Sequence, residues 1–391
     1  MKAESRMRWI DSWKGILIFL VVLGHAVGMM CHYTTGETSE FMSFCYKWIY
    51  LFHMPAFFVV VGFVLKSREV QGVREVGTCV AVLNVARKGM RRLLVPYFFW
   101  GTVSAVAFLG MTVLAGQWQG VDRYYGAHML PKDWWQPFVS LLHAGGWPRG
   151  EGFRCNSVLW FLPVMFLTLC VERGLRGSRG LMGLREPVLH GAMVVVCLVV
   201  GGVMRFYVGA LPWGIDRVSR FLAFVYVGKM IASGRFEKFE RFERFTGLGR
   251  LGWVGVFAVC AGGLTWGAVM MPGLGLVYRS WQWYFIEAGL AVVGSVMTLA
   301  LARIVDCRVF AGLGLASLGI MLMHKFPIVA LQQMMGRLTG WNVWMASGTA
   351  LVVAVAATVL AWGATVLVRR YAPLMIGENR RSPVSPVRDP S

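Results

Sequence analysis

Residues 13–26 read WKGILIFLVVLGHA, and this apolar stretch decides the fold class. It predicts a membrane-spanning helix over residues 13–30, with a lysine near one end and a histidine toward the other. An ionisable side chain within a span is costly, by about 2.5–3.5 kcal/mol for lysine on insertion scales, so its presence indicates function. Lys14 and His25 are 11 residues apart. That separation is about three helical turns, so the two side chains lie on nearly the same face of the helix.

The composition is that of an integral membrane protein. Of the 391 residues, 57% are hydrophobic and only 15% are charged, whereas soluble domains are about 25% charged. The net charge of +20 would suggest a nucleic-acid partner in a soluble protein. In a membrane protein it indicates basic cytoplasmic loops instead, so we expect no nucleic-acid partner.

The eight cysteines form no CxxC pair, and we predict no metal site. A disulfide could form among Cys31, Cys45 and Cys155, which fall outside the predicted spans.

The apolar runs predict an all-α, polytopic transmembrane bundle of about ten spans. These cover residues 13–30, 48–65, 93–115, 158–172, 188–204, 218–233, 253–271, 283–302, 312–335 and 343–368. With the N-terminus in the cytoplasm, 26 of the 39 Lys and Arg residues fall in inside segments and 9 in outside segments. This bias is typical of membrane proteins, and it places both termini in the cytoplasm. We expect residues 1–377 to form one domain and the polar tail, 378–391, to be disordered in the cytoplasm.

Four basic residues precede the third span: Arg87, Lys88, Arg91 and Arg92. Positive charges flanking a span on its cytoplasmic side are one interpretation. The alternative is a phosphate clamp, because a spacing of three to four residues places side chains on a shared helical surface. Guanidinium groups also suit phosphate oxygens. A cofactor with several phosphates could dock there.

Several other polar or aromatic residues fall in or beside the spans. His53 is expected near the outer end of the second span, where a surface histidine is the alternative. Trp160 opens the fourth span, as an interfacial aromatic or as a side chain that faces a sugar. Glu287 could orient the His25 imidazole, or it could pair with Arg220 or Lys325.

His324 stands beside Lys325 and predicts a polar spot inside the bundle. For His25 the natural role is that of a general base, because neutral imidazole accepts a proton near pH 7. Asp11 is too far along the helix to reach His25, and we expect it to cap the first helix or to pair with an arginine.

Taken in order, these motifs resemble the acyltransferase-3 family, and most closely its fucose-4-O-acetylase-like members. The matching stretches are RWID at residues 8–11, VLGH at 22–25, FHMPAFF at 52–58, RRLLVPY at 91–97 and LWFLP at 159–163. The family's motif of a basic residue followed by His after ten intervening residues maps onto Lys14 and His25. Its Arg-x-x-Arg motif departs here: counted back from Pro96, the pair would be Gly89 and Arg92.

The resemblance implies a ten-helix enzyme of the bacterial plasma (inner) membrane. Such an enzyme takes an acyl group, often acetyl, from cytoplasmic acyl-CoA and passes it to a hydroxyl of a carbohydrate or glycolipid acceptor at the outer face. His25 would activate the hydroxyl or carry the acyl group itself, and Trp160 and the loop 116–157 would shape the acceptor side. The donor phosphates would be held by Lys14 and the four basic residues at 87–92.

Two other functions remain open at this stage. One is a proton-coupled transporter or flippase with a polar path through the bundle. That path would be lined by Lys14, His25, Arg220, Glu287 and Lys325. The other is a non-catalytic membrane subunit that recruits a partner through its basic loops.

Overall fold

The computed structural model describes residues 2–69, 78–115, 135–144, 154–177, 185–233, 249–272, 280–335 and 340–378. These residues form helices, and none of them lies in a strand. The predicted all-α fold is therefore confirmed. Of the predicted disordered tail, only Glu378 is described, and it pairs with Arg369; residues 379–391 lie outside the described part of the chain.

Within its described residues, the first half of the chain forms seven α-helices. They are α1 (Lys2–Cys31), α2 (Gly36–Tyr50), α3 (His53–Glu69), α4 (Thr78–Gly89), α5 (Val95–Ala115), α6 (Gln136–Leu142) and α7 (Phe161–Gly177). A π-helical turn, Met90–Leu94, joins α4 to α5, and a 3-10 turn, Arg154–Trp160, leads into α7.

The described part of the second half adds eight α-helices. They are α8 (Glu186–Val203), α9 (Ile215–Ala232), α10 (Gly249–Met270), α11 (Trp281–Ile304), α12 (Arg308–Leu315), α13 (Ser317–Met323), α14 (Lys325–Met335) and α15 (Val343–Tyr371). A π-helical turn, Met204–Val208, continues α8. Two of these helices start at polar caps: the Ser280 side chain accepts from the backbone N–H of Gln282, and that of Asn342 accepts from the N–H of Met345.

Seven helical segments of the described chain are long and apolar enough to cross a membrane. They are Arg8–Cys31, Gly36–Ser67, Asn156–Arg176, Glu186–Val208, Gly249–Met270, Trp281–Ile304 and Val343–Tyr371. The other three predicted spans, 93–115, 218–233 and 312–335, coincide with α5, α9 and α12–α14. Helix α9 carries Asp216, Arg217, Arg220 and Lys229, which lowers its hydropathy. The count of ten spans stays a prediction.

Three expected features differ from the structure. Helix α1 begins at Lys2, so Asp11 lies inside the helix and cannot cap it. The span predicted at 48–65 is interrupted at residues 51–52, which separate α2 from α3. The span expected at 312–335 is interrupted at Ala316 and His324, which divide it into three short helices.

Helix α1 packs against α2, α3, α11, α12 and α15 and lies at the centre of the bundle. Its contact with α12 is backbone to backbone. A Cβ on Gly15 would overlap the carbonyl oxygen of Phe310, and a Cβ on Gly314 would overlap that of Asp11. Small residues permit such close approach between membrane helices, and the gain is van der Waals packing.

Helices α3 and α9 cross in the same way. A Cβ on Gly62 would overlap the carbonyl oxygen of Val225, and one on Gly228 would overlap that of Val59. These two crossings tie α1 and α3, the helices that carry His25 and His53, to the rest of the bundle.

We predict that Gly62→Ala and Gly228→Ala each destabilise the protein by about 1–3 kcal/mol or more, because the added methyl meets rigid backbone. The measurement is the thermal unfolding midpoint of the purified protein in detergent. Gly262→Ala is the matched control, since its Cβ would enter open space on α10. Equal midpoints for all three variants would contradict the close crossing.

Candidate active site

A cavity of about 510 Å³ lies where α1 approaches its carboxyl end and where α3, α9 and α11 begin. This end of the bundle is the predicted outer end. The wall is polar and aromatic, and its chemically active members are His25, Tyr50, His53, Trp160, Arg205, Asp216, Arg217, Arg220, Tyr284 and Glu287. Four of the residues singled out from the sequence, namely His25, His53, Trp160 and Glu287, therefore lie in one wall.

His25 is half-buried and faces this cavity. Its Nδ1 lies 3.2 Å from the hydroxyl oxygen of Tyr50. The ring of His324 lies beside it, with 5.4 Å between the two ring centroids. Either group can donate in this contact, so the imidazole proton lies on Nδ1 if the phenol oxygen accepts and on Nε2 if the phenol donates.

The other two histidines of this cluster are held by backbone. Nδ1 of His53 lies 2.9 Å from the carbonyl oxygen of Ile49, and Nδ1 of His324 lies 2.9 Å from that of Ile320. A carbonyl oxygen only accepts, so Nδ1 carries the proton in both rings. His53 is buried, and the surface alternative for it is wrong. His324 is completely buried, and within the described chain its Nε2 has no hydrogen-bond partner.

Glu287 does not orient His25, although both residues line the cavity. Its carboxylate pairs with Arg220, with 2.9 Å between Nη2 and Oε1. Arg220 also stacks over the ring of Tyr284, 5.1 Å from its centroid. Arg220 was one of the two cations that the sequence offered as a partner, and a buried carboxylate takes the guanidinium because an unpaired charge is costly there.

Trp160 forms another part of the cavity wall. The guanidinium carbon of Arg217 lies 5.1 Å from the centre of its ring, which fits a cation–π contact. The Phe221 ring lies 5.5 Å away, so Trp160 is held between α7 and α9. Asp216 supports this corner by accepting from the backbone N–H of Leu211 at 3.0 Å.

Lys14 lies three turns from His25 on α1 and forms an ion pair with Asp11 at 2.7 Å. The side chain of Lys14 is 32% exposed, so the contact is weak in energy but neutralises much of the local charge. The expected pairing of Asp11 with an arginine is therefore wrong. Lys14 lies one helical turn from Asp11, and its amine therefore reaches the carboxylate.

The basic cluster Arg87, Lys88, Arg91 and Arg92 is exposed and does not line the cavity. Arg87 and Lys88 end α4, whereas Arg91 and Arg92 lie in the π-helical turn. The α-helical spacing assumed for the four residues thus holds only as far as Gly89, because a π turn takes up more residues per turn. Helix α4 packs along α7, where Gly89 meets the ring of Phe166, so this stretch is not a simple loop.

The sequence did not single out Tyr50, Arg205, Asp216 or Arg217 for this site. Tyr50 stands three residues before His53, but it is the last residue of α2, a helix largely outside the predicted spans, and α2 packs against α1. Asp216 and Arg217 could have been identified as site residues from the sequence. They form a charged pair at the start of an otherwise apolar run, and charged groups at such positions are rare.

The thiols of Cys31 and Cys45 are free, and the side chain of Cys155 lies outside the described residues. In the described ranges, no group of three or more His, Cys, Asp or Glu side chains is placed to hold a metal ion. Most of the outer loop 116–157 lies outside the described residues too, which leaves only 135–144 and 154–157 of it.

Comparison with known proteins points to one family. The model of the acyltransferase-3 family, described as an acyltransferase domain, matches residues 7–366. The chain is similar to the nodulation protein NolL of Sinorhizobium fredii, with 35% identity over 98 residues, and to the nodulation protein NolL of Mesorhizobium japonicum, with 34% identity over 108 residues. These alignments cover 25% of this chain and 24% and 25% of the relatives' own lengths. No solved structure matches the chain.

We predict that Glu287→Ala destabilises the protein by about 3–5 kcal/mol, because Arg220 is left as a buried charge without its carboxylate. Thermal unfolding in detergent measures the loss. The double variant Arg220→Met with Glu287→Leu is the control, and it is expected to recover most of the stability, since no charge remains to be compensated. A stable single variant, or a double variant as unstable as the single one, would contradict the pairing.

Proposed function

The chain belongs to the acyltransferase-3 family, and from this premise we propose that it is a bacterial plasma-membrane enzyme that transfers an acyl group from cytoplasmic acyl-CoA to a hydroxyl of an outer-face acceptor. The family and the apolar helices identify it as an integral, multi-pass membrane acyltransferase. The proposal adds the donor, the acyl group, which we take to be acetyl, and the acceptor class, a carbohydrate or glycolipid.

The observation that carries the proposal is the position of His25. This histidine is accessible from a cavity whose wall is rich in polar and aromatic groups, the kind of wall that suits a sugar. We assign His25 as the general base. It takes the proton of the acceptor hydroxyl while the oxygen attacks the thioester carbonyl, and the proton then goes to the sulfur as the carbon–sulfur bond breaks. The products are an O-acyl ester and free CoA thiol, so atoms and charges balance.

The donor side is assigned to the basic cluster at residues 87–92. Its four side chains are exposed, and guanidinium forks match the oxygens of the CoA phosphates. Lys14 is also assigned to the donor side, because it is the basic residue of the family motif. Its ammonium group forms an ion pair with the Asp11 carboxylate. Donor and acceptor would then meet along α1, whose lysine and histidine are separated by about 16 Å.

The acceptor side is assigned to the part of the cavity wall formed by Trp160, Arg220 and Glu287. Trp160 offers an aromatic face, and the pair of Arg220 and Glu287 offers hydrogen-bonding groups next to it. The end of the loop 116–157 also reaches this site, since Ser157 lines the cavity.

We predict that His25→Ala lowers acyl transfer by about 10²–10⁴-fold, because the hydroxyl loses its proton acceptor. The assay uses membranes given radiolabelled acetyl-CoA, with label counted in the glycan fraction and free thiol released as a second readout. His32→Ala is the control, since His32 lies just past α1 and does not line the cavity.

The same assay separates the rival functions. Normal transfer by His25→Ala would overturn the assignment of His25. Label that accumulates inside vesicles without any labelled acceptor would favour a transporter, and tolerance of both the Lys14 and His25 substitutions would favour a non-catalytic subunit.

We predict that the double variant Arg91→Gln with Arg92→Gln raises KM for acetyl-CoA about tenfold or more, because charge-assisted contacts to phosphate are lost. With S-acetylpantetheine, a donor without phosphates, its kinetics should match those of the unmodified protein. Arg308→Gln, an exposed arginine on α12, is the control. An unchanged KM for acetyl-CoA, or an equal loss with both donors, would contradict the phosphate role.

A further inference from the structure

The hydroxyl of Tyr50 is the hydrogen-bonding group that the structure places on the His25 ring, and it comes from another helix. Tyr50 is the last residue of α2, and His25 lies late in α1. Neither hydropathy nor the family motifs single out this tyrosine. Its surroundings hold the ring from several sides.

On one side the Tyr50 ring lies against α1 itself. A Cβ on Gly24 would come 3.2 Å from the Tyr50 ring and 3.1 Å from Ile49, and a Cβ on Gly28 would come 2.9 Å from the ring of Tyr46. Gly24 and Gly28 lie one helical turn apart on either side of His25, so the turn that carries the imidazole also packs against the two tyrosine rings.

On its other sides the ring meets Tyr46 and His53. The Tyr46 and Tyr50 rings stack with 3.8 Å between centroids and 28° between planes. His53 meets Tyr50 edge-on, with centroids 4.6 Å apart, and its own ring is held by the carbonyl of Ile49. A phenol held in this way has little freedom to leave the imidazole.

Either group can donate in this contact, and the direction of the hydrogen bond follows from the role proposed for His25. If Tyr50 donated to Nδ1, the proton of the neutral imidazole would lie on Nε2, and neither nitrogen would have a free lone pair. If the phenol oxygen accepts from Nδ1–H, Nε2 is left free to take a proton. The hydrogen bond also persists in the imidazolium, because Nδ1–H is present in both states.

We propose that Tyr50 is a positioning residue that accepts from Nδ1–H of His25 and so holds the imidazole in the tautomer whose Nε2 takes the acceptor proton. This inference rests on the proposed function of His25. It assigns to a neutral phenol the orienting task that the sequence offered to Glu287, a residue that the structure pairs with Arg220.

The test is steady-state acyl transfer by Tyr50→Phe, in membranes with acetyl-CoA and the cells' own glycan fraction as acceptor. We expect kcat to fall about tenfold or more, with KM for acetyl-CoA and the unfolding midpoint unchanged, because the phenyl ring keeps the packing and only the acceptor oxygen is lost. Tyr46→Phe removes a hydroxyl from the stacked neighbour and is expected to lose far less of kcat.

The outcomes separate the inference from the proposal beneath it. Transfer that depends on His25 but keeps its kcat in Tyr50→Phe overturns the role of Tyr50. An equal loss in Tyr46→Phe, or a loss confined to KM, also overturns it, because a general packing or binding role would then explain the result. Transfer that does not depend on His25 overturns the proposed function itself.

Discussion

Helix α1 touches α12 backbone to backbone, and the arrangement around His25 depends on that contact. Gly15 meets Phe310 and Gly314 meets Asp11, so the register between the two segments is set by atoms that cannot move aside. Across these two contacts residue numbers rise on α1 as they fall on α12, so the two helices run antiparallel here. Helix α12 ends at Leu315, and α13 follows it and leads to His324, whose ring centroid lies 5.4 Å from that of His25.

A second constraint is the cost of polar groups in an apolar bundle. The structure meets this cost with a nearby partner for several of these groups. His53 and His324 donate to carbonyls one turn back, Glu287 takes Arg220, and the fully buried Lys229 takes Glu172. Each pairing removes a group that would otherwise be unsatisfied in a low-dielectric environment. His25 lines the cavity with its side chain only half-buried, and its Nδ1 lies 3.2 Å from the Tyr50 hydroxyl.

Much of the fold could be predicted from the sequence, because hydropathy and charge bias are local properties. The all-α class and the approximate positions of most long helices follow from them. The helix interruptions at 51–52, Ala316 and His324 could not be predicted, because an apolar run has the same hydropathy whether it forms one helix or several. The site shows the same limit. His25, His53, Trp160 and Glu287 were found because each is unusual in an apolar segment, and Tyr50 was missed because a tyrosine at a helix end is common.

By itself the sequence determined that this is a helical membrane protein, that its motifs are those of an acyltransferase family, and that Lys14 and His25 share one helical face. Each of these properties depends only on the types of residues and their spacing along one segment. Only the tertiary structure decided which groups on different helices meet: Glu287 with Arg220 and Tyr50 with His25. The physical reason is that contacts between helices depend on where glycines let backbones approach and where helices break. Contacts within one helix need only the helical repeat, which is why Asp11 and Lys14 lie within reach of each other.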